Sequence, residues 1–461
     1  MPNEDIKSYI SGGPVRVTAK VVFVGFLILV LLIPLVMIQS LVYERKERQE
    51  AASRGVMQTW GSEQTVGGPV LTVPYQTRRV EYVAEGKPVT RTETHFAYFL
   101  PDHLEVEGRV DPEVRYRGIY RVPLYQVALS VKGRFAPPDL SARRIPEADV
   151  LWEDAFLSVG IPDPRAIKET VVLSWDQAPL TFGPGKAQNR VFGSGIEVTV
   201  PGLRPAGAGT AHAFAFNLNL AGSRQLHFVP AGKETHVALT STWPTPSFSG
   251  AYLPATRAVT GQGFTARWKV LYLGRQYPQH WVDNEVPANT VTASAFGVDL
   301  LFAVDTYQTA TRSVKYGALF ILLTFMAFFL FEVLSDMRIH PIQYLLVGFA
   351  LCLFYLLLLS LSEHLRFGPS YAAATAGTVL LIAGYSVAVL RNRGRAAAMA
   401  AQIAGLYGYL YILLQAEDYA LLLGSLGLFL ILGVVMFITR KVDWYALGAP
   451  RPRGGEGAKS S

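Results

Sequence analysis

From Val21 to Val42 the chain runs for 22 residues without a charge. A helix rises 1.5 Å per residue, so this run covers about 30 Å, the thickness of a bilayer's hydrocarbon core. A cleavable signal peptide would carry an apolar core of roughly 7 to 15 residues and then a small-x-small site. Ser40-Leu-Val-Tyr-Glu44 supplies no such site, so the run reads as an uncleaved signal anchor. Five more apolar stretches crowd the C-terminal third: about Tyr316 to Leu334, Pro341 to Ser362, Phe367 to Leu390, Ala396 to Gln415 and Tyr419 to Thr439. Very short loops separate them, which makes consecutive helices antiparallel neighbours. Composition agrees, since only 17% of the residues are charged against roughly 25% in soluble domains. The single cysteine, Cys352, excludes an intrachain disulfide and a cysteine zinc cluster.

Positive charge at the helix ends sets the orientation. Arg338, then Arg391, Arg393 and Arg395, then Arg440, Lys441, Arg451, Arg453 and Lys459 mark one side. The alternate loops, Glu363-His-Leu-Arg366 and Glu417-Asp418, carry one basic residue between them and mark the other. Lys7, Arg16 and Lys20 agree, whereas Glu44-Arg-Lys-Glu-Arg48 weakly opposes. The expected layout is a cytoplasmic N-terminus (1–20), an anchor (21–42), an exported domain (43–314), a five-helix bundle (315–439) and a cytoplasmic tail (440–461), with six spans in all. Residues 43–314 hold 28 Lys+Arg against 26 Asp+Glu. The basic excess therefore lies mainly at the membrane, and nucleic acid is excluded as a partner because no concentrated basic surface exists in the long domain.

Within the exported domain the period switches from helical to alternating. His212, Phe214, Phe216, Leu218 and Leu220 share one parity, the mark of a half-buried strand. Turn signals at Ala221-Gly-Ser223 and Ala231-Gly-Lys233 bracket Arg224 to Val229, and Thr235 to Thr240 follows, so this region reads as a meander. Further strands are expected at Pro69–Tyr75, Arg91–Leu100, Tyr116–Val131, Asn189–Val200, Phe264–Leu273 and Ala293–Phe302. The fold class is thus a membrane α-helical bundle of one plus five spans with a large, mainly antiparallel β domain, built either as two packed sheets or as two β subdomains. The anchor helix is expected to continue through Arg45 to Trp60, and Pro137-Pro138 to Pro164 reads as a long connection.

Chemistry-bearing patterns are sparse. The eight histidines form no H-x-x-x-H or H-E-x-x-H, and the nearest strand set, His212, His227 and His236, could meet only by register. No metal or other cofactor is expected. Gly193-Ser-Gly195 lacks the nucleophile elbow, and no Gly-rich phosphate loop is present. Trp243-Pro-Thr-Pro-Ser-Phe-Ser-Gly250 offers aromatic faces and hydroxyls for a sugar or peptide, though a structural turn is the plainer reading. Polar residues at membrane depth carry more weight because they are costly there. These are Glu332 and His340 near the cytoplasmic face and Glu363 and His364 near the outer one. His340 and Glu363 are separated by roughly 35 Å of helix, so they cannot form one site, and midplane relays are limited to Thr324, Tyr355 or Ser360. Arg312 and Lys315, flanked by Tyr307 and Tyr316, fit an interfacial belt or a docking latch.

Longer runs carry a resemblance. Asp305-Thr-Tyr-Gln-Thr-Ala-Thr-Arg-Ser-Val-Lys-Tyr316, Leu323-Thr-Phe-Met-Ala-Phe-Phe-Leu-Phe-Glu332, Ile339-His-Pro-Ile-Gln-Tyr-Leu-Leu-Val-Gly348 and Phe354-Tyr-Leu-Leu-Leu-Leu-Ser-Leu-Ser-Glu-His364 resemble the CreD family of bacterial inner-membrane proteins. So do Ser223-Arg-Gln-Leu-His-Phe-Val-Pro230, Ser241-Thr-Trp-Pro-Thr-Pro-Ser-Phe-Ser-Gly250, Ala420-Leu-Leu-Leu-Gly424 and Asp443-Trp-Tyr445. The resemblance covers nearly the whole chain. It implies a cell-envelope integrity protein under control of the Cre two-component system, linked to tolerance of envelope stress and β-lactams, with a periplasmic domain and no established catalytic residue or cofactor. The reading is therefore a non-enzymatic protein whose β domain binds or senses an envelope component. Membrane lipids and peptidoglycan or envelope-assembly proteins are the candidate partners. A transporter or flippase is the rival, and an enzyme the third alternative.

Overall fold

The computed structural model describes residues 13–82, 88–185, 191–204, 210–302, 306–335, 339–390, 392–416 and 419–440. Lys7, Arg338, Arg391, Glu417, Asp418 and the tail from Lys441 lie outside the described residues, as does the Asp443-Trp-Tyr445 motif. The chain divides into a helical unit, Met1–Arg48 with Val304–Ser461, and a β unit, Gln49–Ala303.

In the helical unit, α1 (Gly13–Trp60) is one continuous helix of 48 residues, whose last turns belong to the β unit. Leu27, Leu31, Leu35, Ile38 and Val42 are buried while Phe26, Leu29, Ile33, Val36 and Met37 are exposed. Buried positions recurring every three or four residues make one packing stripe. The short helix α2 (Ala288–Thr292) belongs to the β unit, and the C-terminal helices follow as α3 (Thr306–Lys315), α4 (Gly317–Ser335), α5 (Pro341–Ser362), α6 (Phe367–Leu390), α7 (Arg393–Gln415) and α8 (Ala420–Thr439). α5 is the most buried, and its Gly348 admits Leu31 of α1 so closely that a β-carbon there would collide with it. Among the described residues five helices are long and apolar enough to cross a membrane, or six if α3 and α4, bent by 42° at Tyr316, form one broken span. The straight second span expected from hydropathy is thus replaced by a short helix and an elbow. Hydropathy registers apolar content and is blind to a change of axis.

The β unit contains β1 (Gln64–Tyr82), β2 (Pro88–Phe99), β3 (His103–Arg117), β4 (Tyr120–Phe135), β5 (Phe156–Gly160), β6 (Val172–Trp175), β7 (Ala178–Thr181), β8 (Gly183–Pro184) and β9 (Gly195–Thr199). It continues with β10 (His212–Ser223), β11 (Gln225–Phe228), β12 (Glu234–Ser241), β13 (Pro246–Gly250), β14 (Thr256–Thr260), β15 (Gly263–Leu271), β16 (His280–Val282) and β17 (Phe296–Leu300). One sheet runs β13-β17-β11-β1-β5-β9-β8, with β2 and β16 joined beside β1, and the other runs β14-β15-β12-β3-β4-β10-β6-β7. Both are mixed, because β1 pairs with β11 and β12 with β3 in parallel. Inner faces of the two sheets share one apolar core, with Val70, Val73, Leu157 and Phe228 from the first and Val106, Leu129, Phe216 and Val237 from the second. Of the two arrangements left open by the sequence, this is the packed pair of sheets.

Three sequence expectations are corrected here. The region from His212 to Thr240 is not a meander: β10 pairs with β4 and β6, β11 with β1 and β17, and β12 with β15 and β3. Successive strands alternate between sheets, which local turn signals cannot reveal. The single strand expected over Tyr116–Val131 is a hairpin, with Arg117 opposite Tyr120 and Gly118 at φ +61°. A glycine in the left-handed region at the first position of a two-residue loop matches the twist of the flanking strands. Finally, Phe156–Gly160 is a strand within the stretch expected to be a plain connection, and three short 3-10 turns precede it.

Candidate functional site

Among the described residues of α3 to α8 only two carboxylates occur, Glu332 and Glu363. Near the C-terminal end of α4, Glu332 accepts hydrogen bonds from Lys20 Nζ of α1, from the Ile339 backbone N–H at 3.2 Å and from the Tyr344 hydroxyl at 3.0 Å. Lys20 also donates to the Ile339 carbonyl at 2.9 Å. The loop between α4 and α5 is thereby tied to the first helix through a carboxylate whose side chain is 10% exposed. A carboxylate that accepts this many hydrogen bonds and faces an ammonium is held in its charged form by geometry, because an apolar setting would penalise any lost contact.

The same device recurs at the other end of α5. Glu363, the C-terminal cap of that helix, accepts from Arg45 of α1 at 2.7 Å and from the Tyr307 hydroxyl of α3 at 2.9 Å. Its side chain is 4% exposed. One helix, α1, supplies the cation at both ends, 25 positions apart in sequence, so α1 is stapled to the C-terminal helices at two depths. Sequence reading found the carboxylates but missed Lys20 and Arg45 as their partners, because nothing local pairs residues more than 300 positions apart.

His340 does not join the Glu332 cluster through its side chain. It is the N-cap of α5, where Nδ1 accepts from the Ile342 N–H at 3.3 Å and its own N–H donates to Gln343 Oε1 at 3.1 Å, a reciprocal capping box. His364 is exposed, and Arg312 is half-buried in the last turn of α3. Of the three midplane relays, Thr324 and Tyr355 are buried whereas Ser360 is exposed. Tyr355 is packed against Phe354 at 5.0 Å, and Phe354 in turn meets Tyr407 at 4.2 Å. The interior between the two stapled ends is thus aromatic and apolar.

In the β unit, Trp243 is a structural clamp. Its indole N–H donates to the carbonyls of Thr245 and Leu301 at 3.2 and 3.0 Å, its ring meets Phe302 at 5.5 Å, and it is 7% exposed. The turn reading of Trp243 to Thr245 therefore describes the start of this block, while Pro246–Gly250 continues as β13 against β17. The ring has no open face for a sugar. Trp60, at the C-terminal end of α1, lies between Arg115 at 4.0 Å and Lys168 at 5.1 Å. Nearby, Asp163 accepts from the Ser62 N–H at 3.3 Å and from Arg165 at 2.8 Å. The Arg165 hydrogen bond holds its carboxyl below the usual range, against the opposing pull of burial.

The three strand histidines do not converge. His212 pairs with Asp176 at 2.6 Å, His227 with Ser249 and Asp299, and His236 with Glu234 at 2.8 Å. Ser249, His227 and Asp299 have the composition of a hydrolytic triad but not its wiring. His227 Nε2 faces both Ser249 Oγ (3.0 Å) and Asp299 Oδ1 (3.2 Å), and Ser249 donates to Asp299 Oδ2 at 2.7 Å. In a working triad the acid orients the opposite ring nitrogen, leaving Nε2 to take the serine proton.

These features define an integral membrane protein with a large two-sheet domain outside its apolar helices. The chain belongs to the CreD family: residues 16–445 match the family described as inner membrane protein CreD. It is similar to Inner membrane protein CreD of Escherichia coli (strain K12), 33% identical over 426 residues that cover 92% of this chain and 93% of that protein. Among solved structures, an M1 zinc metallopeptidase of Deinococcus radiodurans bound to a Tyr-Ser-Ala substrate is 14% identical over 44% of this chain and 42% of its own, with a TM-score of 0.21. Its substrate-free form gives a TM-score of 0.20 at the same identity. Likeness at that level carries no argument about fold or activity.

Proposed function

We propose that this CreD-family protein maintains the cell envelope without catalysing a reaction, its β unit lying in the periplasm and binding or sensing an envelope component while both termini face the cytoplasm. The positive-inside pattern supports that orientation. The observation that carries the choice of binding over transport is the pair of stapled carboxylates. Glu332 and Glu363 already hold a cation and a tyrosine hydroxyl each. A pump or flippase needs ionisable groups at midplane that change partners, and the stretch between these two ends is apolar. Membrane lipid, peptidoglycan or envelope-assembly proteins are the ligands expected for a tolerance factor against envelope stress and β-lactams.

Photocrosslinkers placed on exposed positions of the β unit, such as Arg257 and Leu273, test the reading in intact cells. Recovery of peptidoglycan fragments, lipid or envelope-assembly proteins is the expected result. Capture of none of these would count against it.

A further inference from the structure

The outer face of the eight-stranded sheet brings together residues that sequence spacing keeps apart. β3 and β12 run parallel in a register that sets Glu234 opposite His103 and His236 opposite Glu105. Side chains two apart on a strand share a face. Glu234 and His236 lie on the outer one, above buried Thr235 and Val237, and His103 adjoins buried Leu104 on β3. His236 Nε2 lies 2.8 Å from Glu234 Oε1, and the rings of His103 and His236 are 5.6 Å apart at a tilt of 45°. One donor atom from each of the three residues lies within 4.8 Å of those of the other two.

We propose that His103, Glu234 and His236 form a binding site for one Zn2+-class transition-metal ion on the β unit. Two imidazoles and a carboxylate are a donor set that such ions take, whereas Ca2+ and Mg2+ require oxygen ligands throughout. All three residues are half-buried, so water completes the coordination. The ligands stand on paired strands, and closing them around an ion needs only side-chain rotation. Lys269 of β15, opposite His236 in the ladder, donates to the same Glu234 oxygen at 2.8 Å. It neutralises the carboxylate when no metal is bound and must yield when one binds. Lys132, 3.3 Å from Glu105, adds a second positive charge nearby. The site therefore binds with modest affinity and loads only where the ion is plentiful.

The test is titration of the full-length protein in detergent, purified without a histidine tag, with Zn2+ by calorimetry and with Co2+ by its ligand-field absorption. One ion per chain is expected. His103→Ala and His236→Ala each weaken binding by about tenfold or more, as loss of a direct ligand exceeds the effect of losing a supporting contact. Lys269→Met frees the carboxylate and tightens binding by about two- to fivefold, the reach of an exposed ion pair. That gain cannot come from misfolding. The exposed His364→Ala variant binds as the unaltered protein does. Absence of Zn2+ binding, binding unchanged in both histidine variants, or weaker binding in Lys269→Met would overturn the proposal.

Discussion

At Glu332 and Glu363 the identity of a single atom decides between a latch and a relay. Each carboxylate is paired with a cation from α1 in surroundings that exclude water, and removing one member of such a pair strands the other. Lys20→Met or Glu332→Gln alone should lower stability in detergent by about 3 kcal/mol or more, while the double variant recovers most of the loss. Thermal unfolding of the four proteins measures that coupling; additive losses would mean the pair is idle. Asp163 obeys a different rule because it sits in the β unit near water. Its carboxyl is held below the ordinary value chiefly by Arg165, so it stabilises the fold above about pH 4 and that contribution is lost as pH falls through the lowered value. Asp163→Asn should therefore flatten the acid limb of the stability curve, followed by thermal unfolding between about pH 5 and 2. Both carboxylates of the membrane edge were legible in the sequence as residues out of place in an apolar run. Their partners were not, because Lys20 and Arg45 look like ordinary flanking charge until α1 is packed against α5.

Among the elements, the apolar helices were the most legible, since a hydrocarbon core tolerates almost nothing else over 20 residues. The 42° elbow between α3 and α4 was not, for composition does not encode an axis. Strands with clean alternation, β10 above all, also declared themselves, with His212, Phe214, Phe216, Leu218 and Leu220 turned inward. Pairing did not: β10, β11 and β12 follow one another in the chain yet none lies beside another. The same gap hid the His103, Glu234 and His236 group, which exists only because β3 and β12 are parallel neighbours. The turn between β3 and β4 offers a direct check on local geometry. Gly118 adopts φ +61° with open space around its α-carbon, so Gly118→Val suffers backbone strain and no collision. It should destabilise the β unit by about 1–2 kcal/mol, with Gly118→Asn much milder. Equal stability of Gly118→Val and the unaltered protein, measured by thermal unfolding, would show that the hairpin turn is not rigidly held.

For the whole molecule, two structural units share one chain: a helical unit closed by ion pairs at both ends of α5, and a β unit with a single core between two sheets. A binding role asks the helices only to hold, whereas a transport role asks Glu332 and Glu363 to let go of their cations. Replacing both pairs at once, with Lys20→Met, Glu332→Gln, Arg45→Met and Glu363→Gln in one protein, removes every acid of the described α3 to α8 without stranding a charge. The decisive measurement is the detergent and β-lactam sensitivity of a deletion strain carrying this variant at the membrane level of the unaltered protein. Full rescue is expected if the helices anchor and the β unit binds. Failure to rescue at equal protein level would contradict that and make the carboxylates part of a transport path.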